Sequence, residues 1–442
     1  MRIAILGGGV SGLALGHYLA ADGRTEFAIF EAAPVPGGLC RSKQRDGFTY
    51  DLAGGHILFS KDREVWELMR SMCADVGGAV RSERRTAIRW HDQWVKYPFE
   101  NGIGDLPPQA RFECLAGYLR AVEQRKQNGA APRRFDEWVR WRFGDGIAQH
   151  FMDPYNEKIW CYPLREISSG WVAGRVPDAP IEDIIKAACQ VSTEGYTHQA
   201  VFDYPAHGGF QAITDGFAAR CGERLRLSTP VQRVERAGDG FLVNGERFDR
   251  VVNTMPLQRL IDVVPALPED AKQAVRSLRW LGLSSILIAL KRAQLEPRSW
   301  IYLPFADQGP ANRVTYFSNY APSNAPQGCS SLMAEITFPK EEAPRNDAQI
   351  VDELLRGLER AGILRREEVL FTDVTTQPYA YVVFDHDFDR HRDRALAAIE
   401  GLGLETFGRF GRFEYLNSDQ CVERARNMAQ KLLARLGERA GS

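Results

Sequence analysis

The chain has 442 residues, enough for about two or three structural units, and 44% of them are apolar, which is enough for sizeable cores. Its formal net charge of −1 excludes a strong overall field toward nucleic acid or a membrane surface. The eight cysteines lack metal-ligand spacing, the first predicted strand begins at Arg2, and the longest apolar stretch, 281–290, is too short to span a bilayer. We therefore expect a cytoplasmic protein with reduced thiols and no signal peptide, metal site, nucleic-acid partner or membrane span.

The first 31 residues have the pattern of a dinucleotide-binding unit. The unit contains, in order, a strand over 3–6, the glycines Gly7, Gly9 and Gly12 with G-x-G-x-x-G spacing, a helix, a strand over 27–30, and the acid Glu31. The first glycine makes a tight turn, the second lets the backbone approach a pyrophosphate, and the third lets helix and strand pack closely. The helix N-terminus offers free N–H groups to phosphates, and the acid accepts hydrogen bonds from ribose hydroxyls.

Further elements follow from periodicity and turn residues. Helices are predicted over 64–72, 112–127, 135–143, 146–158, 181–188, 349–361 and 421–436. Strands are predicted over 87–97 with a turn at 91–92, and over 231–234, 241–243, 250–254, 281–290 and 314–317. We expect the three strands within 231–254 to join the sheet that contains the strands over 3–6 and 27–30. We expect the strands over 281–290 and 314–317 to form a second, largely antiparallel sheet.

Sequence blocks spread over nearly the whole chain resemble one family. They lie at 54–60, 97–101, 135–138, 146–148, 154–160, 174–176, 302, 313, 317–320 and 408–411. The start of the chain, through the glycine-rich segment 37–39, is similar to FAD-dependent amine oxidases and protoporphyrinogen oxidases. The full series resembles UDP-galactopyranose mutase, especially its longer, eukaryotic-type branch.

The resemblance implies an α/β fold with three parts. A discontinuous, Rossmann-like FAD-binding domain comprises 1–75, 201–265 and 400–442. A helical insertion domain covers 105–200 and carries a substrate lid near 175–183. An antiparallel-sheet substrate domain covers 76–104 and 266–399.

The resemblance also implies an isomerase that uses reduced FAD without net redox change. In this family flavin N5 attacks the anomeric carbon and displaces the nucleotide diphosphate, and the adduct opens and recloses, which interconverts pyranose and furanose forms. The expected partner is a nucleotide-diphosphate sugar, NADPH or NADH is a candidate reductant, and a homo-oligomer is a candidate assembly. The implied role is supply of galactofuranose for cell-surface polysaccharide.

Three residues match catalytic positions of the family. Arg175 and Arg313 match two arginines that bind the diphosphate, a role that suits guanidiniums because they bind bidentately and stay charged. His56 matches a histidine that faces the flavin near N5. The alternatives are a surface ion pair for Arg175 and a structural histidine for His56.

Further candidates follow from the same blocks. The substrate-binding candidates are Tyr97, Phe99, Glu100, Asn156, Trp160, Trp300, Tyr302, Asn319, Tyr320, Tyr381 and Tyr415. The cofactor-binding candidates are Gly7, Gly9, Val10, Ser11, Gly12, Glu31, Gly38, Leu39, Gly55, His56, Val234, Arg409, Asn417, Ser418 and Asp419. For the aromatic residues and Asn156, packing in a core is the alternative.

Position 100 departs from the family, which has glutamine there in contact with uracil. Glutamine offers a donor and an acceptor, whereas an ionised carboxylate only accepts. Guanine presents N1–H and N2–H₂ side by side, which a carboxylate can accept bidentately. Two hypotheses follow: Glu100 recognises a GDP-sugar, or it accepts from uracil N3–H of a UDP-sugar. The chain also departs from the family pattern at Val382, where the family has proline, and in the segment 416–418.

Two other functions stay open from the sequence alone. One is an amine oxidase or protoporphyrinogen oxidase that removes hydride, and the other is a flavin-binding scaffold without catalysis. The cavity of such an oxidase would be apolar, which would leave Arg175 and Arg313 as unexplained buried cations.

Overall fold

The structure, a computed structural model, describes residues 1–127, 129–172, 176, 180–191, 200–344 and 348–440, with side chains through Arg435. Its strands, in chain order, are β1 (Arg2–Leu6), β2 (Glu26–Phe30), β3 (Ser42–Arg45), β4 (Phe48–Asp51), β5 (Ala79–Glu83), β6 (Thr86–Trp90), β7 (Gln93–Lys96), β8 (Val201–Pro205), β9 (Leu225–Arg226), β10 (Val234–Ala237), β11 (Gly240–Val243), β12 (Glu246–Phe248), β13 (Arg250–Asn253), β14 (Arg279–Leu290), β15 (Trp300–Tyr302), β16 (Arg313–Thr315), β17 (Ser330–Pro339), β18 (Val369–Val383) and β19 (Glu405–Thr406). Its helices, in chain order, are α1 (Val10–Asp22), α2 (Arg63–Ser71), α3 (Pro108–Gln127), α4 (Phe135–Ile147), α5 (Asp153–Trp160), α6 (Ile181–Ala188), α7 (Gln211–Cys221), α8 (Leu257–Val263), α9 (Glu269–Ser277), α10 (Ala348–Arg360), α11 (Phe388–Gly401) and α12 (Ser418–Ala440).

A five-stranded parallel sheet confirms the predicted α/β class. Its strand order is β19-β13-β1-β2-β9, and each neighbouring pair runs parallel. Helices cover both faces, with α1, α7 and α12 in one core and α8, α9 and α11 in the other. A strand that is buried on both faces is apolar throughout, which explains the continuous apolar run in β1.

The prediction that all strands of 231–254 resume this sheet is wrong for two of them. β13 joins the parallel sheet, whereas β10, β11 and β12 form a separate antiparallel sheet. Tight turns at Gly238 and Gly245, both with positive φ, connect the three strands. Each of these strands therefore pairs with its neighbour in the chain, and none of the three pairs with β1.

A seven-stranded sheet, in the order β18-β14-β17-β16-β15-β6-β7, forms the second layer. Its neighbours pair antiparallel, except that β15 and β6 run parallel. The register places Tyr302 opposite Arg313, and Arg313 opposite Glu335. These three side chains therefore lie in one row on one face of the sheet, while α10 packs on the other face.

The helical part packs α3 closely against α4. A Cβ on Gly144 would lie 2.2 Å from the carbonyl oxygen of Gly117, so glycine is needed at this crossing. The helix predicted over 146–158 is interrupted, because α4 ends at Ile147 and a π-helical turn over Ala148–Met152 precedes α5. α5 carries aromatic side chains into a core that it shares with β6 and β7.

The predicted substrate domain comprises 76–104 and 266–399, and the structure places β6 and β7 of the first range in one sheet with strands of the second. The exact domain boundaries stay a prediction. No helix in the described part of the chain is long and apolar enough to cross a membrane. Within the same residues, no group of histidine, cysteine and acidic side chains could hold a metal ion.

Candidate active site

A cleft of about 650 Å³ lies where the parallel sheet meets the seven-stranded sheet. Gly7 and Glu31, which follow β1 and β2, line its first part, at the carboxyl ends of the strands. This is where open α/β sheets bind ligands. Tyr302 and Arg313 line the part formed by the second sheet. The cleft therefore brings together residues that the sequence places about 300 positions apart.

Most of the predicted site residues line this cleft. Of the cofactor-binding candidates, the lining residues are Gly7, Gly9, Val10, Ser11, Glu31, Gly38, Leu39, Gly55, His56, Arg409, Asn417, Ser418 and Asp419. Of the substrate and catalytic candidates, the lining residues are Trp300, Tyr302, Arg313, Tyr320, Tyr381 and Tyr415.

Glycines shape the phosphate end of the cleft. A Cβ on Gly38 would lie 3.1 Å from Cα of Gly9, so the two glycine-rich turns meet backbone to backbone. A Cβ on Gly12 would lie 2.0 Å from the carbonyl oxygen of Gly7. Gly12 therefore serves helix–strand packing, as the motif predicts, and lies behind the cleft wall. The first turn of α1, at Val10, presents its N–H groups to this end of the cleft.

Glu31 and Val231 lie at the far end of this part of the cleft. The Glu31 carboxylate accepts hydrogen bonds from the N–H groups of Gly8 (2.7 Å) and Ala33 (2.8 Å), and its remaining lone pairs can accept from ribose hydroxyls. Val234, the predicted cofactor contact, is buried in β10 and paired with Val243, so the cofactor contact there stays a prediction. Val231, in the segment before β10, lines the cleft.

His56 is positioned by Asp51, a residue that sequence reasoning missed. The backbone N–H of His56 donates to Asp51 Oδ2 (3.2 Å). The imidazole ring of His56 stacks on the ring of Phe210, with centroids 5.1 Å apart. The fully buried Asp51 also accepts from the Tyr204 hydroxyl (2.8 Å) and the Ser42 hydroxyl (2.7 Å). The ring atom Nδ1 of His56 is buried without a hydrogen-bond partner among the described residues. The signal for Asp51 in the sequence is an acid at the end of an otherwise buried strand, β4.

Arg313 is held by Glu335, a second residue that sequence reasoning missed. Its Nε and Nη2 donate to the two carboxylate oxygens of Glu335, each at 2.8 Å. Glu335 is 1% exposed and also accepts from the N–H of Gly55 (3.3 Å), next to His56. Burial alone would lower the pKa of Arg313, but Glu335 raises it well above its ordinary value, so the guanidinium stays charged. An acid within the apolar strand β17 was the available signal.

Tyrosines surround Arg313 on the cleft side. The rings of Tyr381 and Tyr415 stack with centroids 6.0 Å apart, and the Arg409 guanidinium lies 4.5 Å from the Tyr415 centroid. Arg409 donates to the carbonyl oxygens of Ala380 (2.7 Å) and Leu416 (2.6 Å), which ties the end of β18 to the segment before α12. Burial raises the pKa of Tyr381, so its hydroxyl stays protonated and can donate to an anion.

Tyr320 and Trp300 complete this wall. Tyr320 is 1% exposed, and burial raises the pKa of its hydroxyl as well. Trp300 donates from Nε1 to the Tyr302 hydroxyl at 3.0 Å, which leaves that hydroxyl's own proton available to another acceptor.

Several predicted substrate residues lie outside the cleft, in the helical part. Tyr97 touches the cleft-lining Tyr302, with ring centroids 5.0 Å apart. Asn156 donates to the Met152 carbonyl oxygen (2.7 Å) and accepts from Trp160 Nε1 (3.2 Å), so the two side chains bind each other. Phe99 and Glu100 are buried in the adjoining turn Phe99–Asn101.

Two predictions have a different outcome. The Asn319 amide donates to the backbone oxygens of Glu296 and Arg298, both at 2.8 Å, so it fastens a loop and does not line the cleft. Arg175 lies outside the described residues, as do residues 177–179 of the predicted lid over 175–183.

Comparison with known proteins decides the family. The family model for flavin containing amine oxidoreductases matches residues 10–399. The chain belongs to this family. Its cleft fits FAD, because the glycine turns admit a pyrophosphate at the α1 N-terminus and Glu31 can accept hydrogen bonds from a ribose.

The structure is similar to that of reduced UDP-galactopyranose mutase, with a TM-score of 0.89 and 27% sequence identity over 98% of this chain and 95% of that chain. This similarity confirms the resemblance drawn from the sequence, while assignment to the eukaryotic-type branch stays a prediction. A putrescine oxidase bound to putrescine shares the fold, with a TM-score of 0.63 and 16% identity over 98% of this chain and 99% of that chain.

A plant protein, protoporphyrinogen oxidase 2 (chloroplastic/mitochondrial) of Arabidopsis thaliana, is 24% identical over 170 residues. That match covers 35% of this chain and 31% of the plant protein. The chain thus spans less than a third of the length of this curated relative.

Proposed function

We propose that the protein is a flavin-dependent nucleotide-sugar mutase that interconverts the pyranose and furanose forms of a UDP- or GDP-hexose while its FAD is reduced. The observation that carries the proposal is the buried Arg313–Glu335 pair in the wall of the flavin cleft. A charged guanidinium in this position suits a diphosphate. A small amine is itself a cation and gives the guanidinium no counter-charge to bind.

Arg313 can bind a diphosphate while Glu335 holds it. A guanidinium has five N–H donors, and Glu335 accepts from Nε and from Nη2. The remaining donors on Nη1 and Nη2 are available to phosphate oxygens. The hydroxyls of Tyr320 and Tyr381 stand in the same cleft wall as further donors. Together these groups would stabilise the charge that builds on the diphosphate as its bond to the sugar breaks.

Bound in the cleft, reduced FAD would supply the nucleophile for the anomeric carbon. The chain's own residues would orient the sugar and exclude water. His56, whose backbone N–H donates to Asp51, would lie beside the flavin and the sugar. Arg175 is proposed as the second guanidinium for the diphosphate on the resemblance alone. NADPH or NADH is proposed as the reductant on the same basis.

An amine oxidase or protoporphyrinogen oxidase is the second candidate function. The family assignment and the partial similarity to the plant protoporphyrinogen oxidase favour it. It would remove hydride from its substrate, and Arg313 would then have no diphosphate to bind.

The experiment uses FAD-loaded protein, reduced with dithionite under argon. It is incubated separately with UDP-galactofuranose, UDP-galactopyranose and a panel of GDP-hexoses, and the products are separated by HPLC. We expect an isomer of equal mass that forms only when the flavin is reduced. Peroxide formation from putrescine or a porphyrinogen under air, with no isomer from any nucleotide sugar, would replace the mutase by the oxidase.

A further inference from the structure

A second cavity, of about 670 Å³, lies between α5, the loop that follows β15, and α10. It shares no lining residue with the flavin cleft. Its charged lining residues are three acids, two arginines and one lysine: Glu157, Asp307, Glu353, Arg356, Arg360 and Lys158. The proposed mutase reaction uses none of these side chains. A concave site with several charged groups suits a small polar molecule.

The ε-amine of Lys158 is held at the wall of this second cavity by backbone oxygens. Its Nζ donates hydrogen bonds to the carbonyl oxygens of Leu303 (3.0 Å) and Phe305 (2.9 Å). Among the described residues, no carboxylate lies in ion-pair contact with this amine, and Asp307 acts on it only through the electrostatic field. Two carbonyl oxygens match the two N–H groups of a neutral amine. No residue that the structure describes takes the third position on the nitrogen, where a neutral amine has its lone pair.

The same amine loses its proton near neutral pH. Burial lowers the pKa of Lys158 to about 7, and the negative charge of Asp307 offsets this only in part. At pH 7 about half of such amines are neutral, against about one in 3,000 for a lysine of ordinary pKa. Only the neutral amine has a lone pair that can attack carbon. Lys158 therefore combines a nucleophilic nitrogen with a cavity that can hold a substrate.

The charges of the lining indicate which electrophile the amine would attack. An aldehyde or a ketone converts an amine to an imine, which becomes a cationic iminium when it is protonated. Carbon dioxide would convert the amine to an anionic carbamate. The acids of the lining outnumber its arginines, and one of the two, Arg360, already donates to the carbonyl oxygen of Asp307 (3.1 Å). The lining therefore favours the cationic product over the anionic one.

The carbonyl oxygens that hold Lys158 keep their donors after such a reaction. An iminium nitrogen retains one N–H, which can still donate to the Leu303 carbonyl oxygen. The Phe305 carbonyl oxygen also accepts from the backbone N–H of Gln308, at 3.2 Å. Neither oxygen is left without a hydrogen bond, so the reaction does not incur the cost of an unpaired buried acceptor.

We propose that Lys158 forms a Schiff base with a small polar aldehyde or ketone that binds in the second cavity. The amine nitrogen bonds to the carbonyl carbon, the carbonyl oxygen leaves as water with the two amine protons, and a C=N bond replaces the C=O bond. The step needs no oxidant, metal or flavin. It goes beyond the proposed mutase function and does not depend on it.

The test is labelling of the FAD-loaded protein with glyceraldehyde and sodium cyanoborohydride, which reduces an imine to a stable amine. Adducts are located by peptide mass spectrometry. At pH 7 we expect Lys158 to react at least about tenfold faster than the exposed Lys61, and its rate to saturate with glyceraldehyde concentration. The ratio of the two rates should fall by up to about tenfold per unit from pH 7 to pH 9, because only a lysine of ordinary pKa continues to gain neutral amine.

Lys340 is the matched control within the same protein. Its Nζ also donates to two carbonyl oxygens, those of Arg276 (2.7 Å) and Leu278 (2.8 Å), and burial lowers its pKa as well. It does not line the second cavity, and its Nζ lies 4.9 Å from the ring centroid of Trp280. We expect its labelling to rise linearly with glyceraldehyde concentration, so the comparison with Lys158 isolates the effect of the cavity.

The variant Lys158→Arg retains donors for both carbonyl oxygens but cannot form an imine. It should lose the saturable part of the total glyceraldehyde incorporation while its FAD content, measured by absorbance, stays unchanged. Labelling of Lys158 that is no faster than that of Lys61, or that does not saturate, would mean an adventitious surface reaction only and overturns the proposal. The absence of any adduct at Lys158 overturns it too. None of these outcomes bears on the mutase, because labelling is measured without a nucleotide sugar.

Discussion

The Arg313–Glu335 pair gives the sharpest prediction, tested by Glu335→Gln. The substitution keeps the shape and one acceptor but replaces the other by an amide that cannot accept from the guanidinium. It also removes the negative charge that offsets a buried cation. Hydrogen bonds to charged groups contribute about 1.5–3 kcal/mol. We therefore expect the free energy that holds the Arg313 guanidinium in its orientation to fall by about 2–3 kcal/mol.

This loss should lower kcat and should not raise KM. Arg313 stays positively charged in the variant, so it still attracts the diphosphate, and KM should stay equal or decrease. Its donors are no longer aimed at the departing diphosphate, so kcat should fall by about 30- to 150-fold, since about 1.36 kcal/mol corresponds to tenfold in rate. The assay is HPLC of the sugar isomers at saturating substrate with dithionite-reduced enzyme, after FAD content is checked by absorbance.

The matched control is Glu367→Gln, which breaks an ion pair of the same type on the surface. Arg365 and Glu367 are 3.1 Å apart, with side chains 68% and 73% exposed, so this pair should contribute little. The reasoning is refuted if Glu335→Gln retains wild-type kcat with normal FAD content. It is also refuted if KM rises while kcat is unchanged, because Glu335 would then serve ground-state binding.

Two further predictions concern stability. Burial raises the pKa of Glu100 to about 7 from an ordinary 4.5, so its contribution to stability is fully present below pH 4.5 and is lost as the pH rises through 7. Glu100→Gln should therefore stabilise the nucleotide-free protein by up to about 3 kcal/mol at pH 8, and thermal denaturation midpoints should converge toward pH 5. If the midpoints of the variant and the wild type differ by the same amount at pH 8 and at pH 5, this account is contradicted. Gly12→Ala should lower FAD content and stability by about 1–3 kcal/mol, because the new methyl group meets the Gly7 carbonyl oxygen. Gly129→Ala, with no atom within 4 Å of its Cβ, should leave both unchanged, and full FAD content in the Gly12→Ala variant would show that the turn can relax.

Local features of the structure were predictable where the residues that specify them are neighbours in the chain. The unit β1–α1–β2 follows from a glycine spacing, an apolar strand and an acid within 31 residues, and the structure places Glu31 at the cleft. β10–β12 was mispredicted because strand patterns reveal which residues are extended but not which partner they pair with. The place of Val231 in the cleft wall was missed for a related reason, since it lies in the segment before β10 and not in the strand.

The sequence by itself determined the dinucleotide-binding unit, the α/β class and the positions of Arg313, His56 and the tyrosines, because these depend on short spacings and matched blocks. Tertiary structure decided which carboxylates act on them. Glu335 reaches Arg313 because strand register places β17 beside β16, and Asp51 reaches His56 because β4 ends at the same loop. The Arg313–Glu335 pair and the burial of Asp51 beneath Tyr204 depend on contacts between distant segments, and no local pattern encodes them.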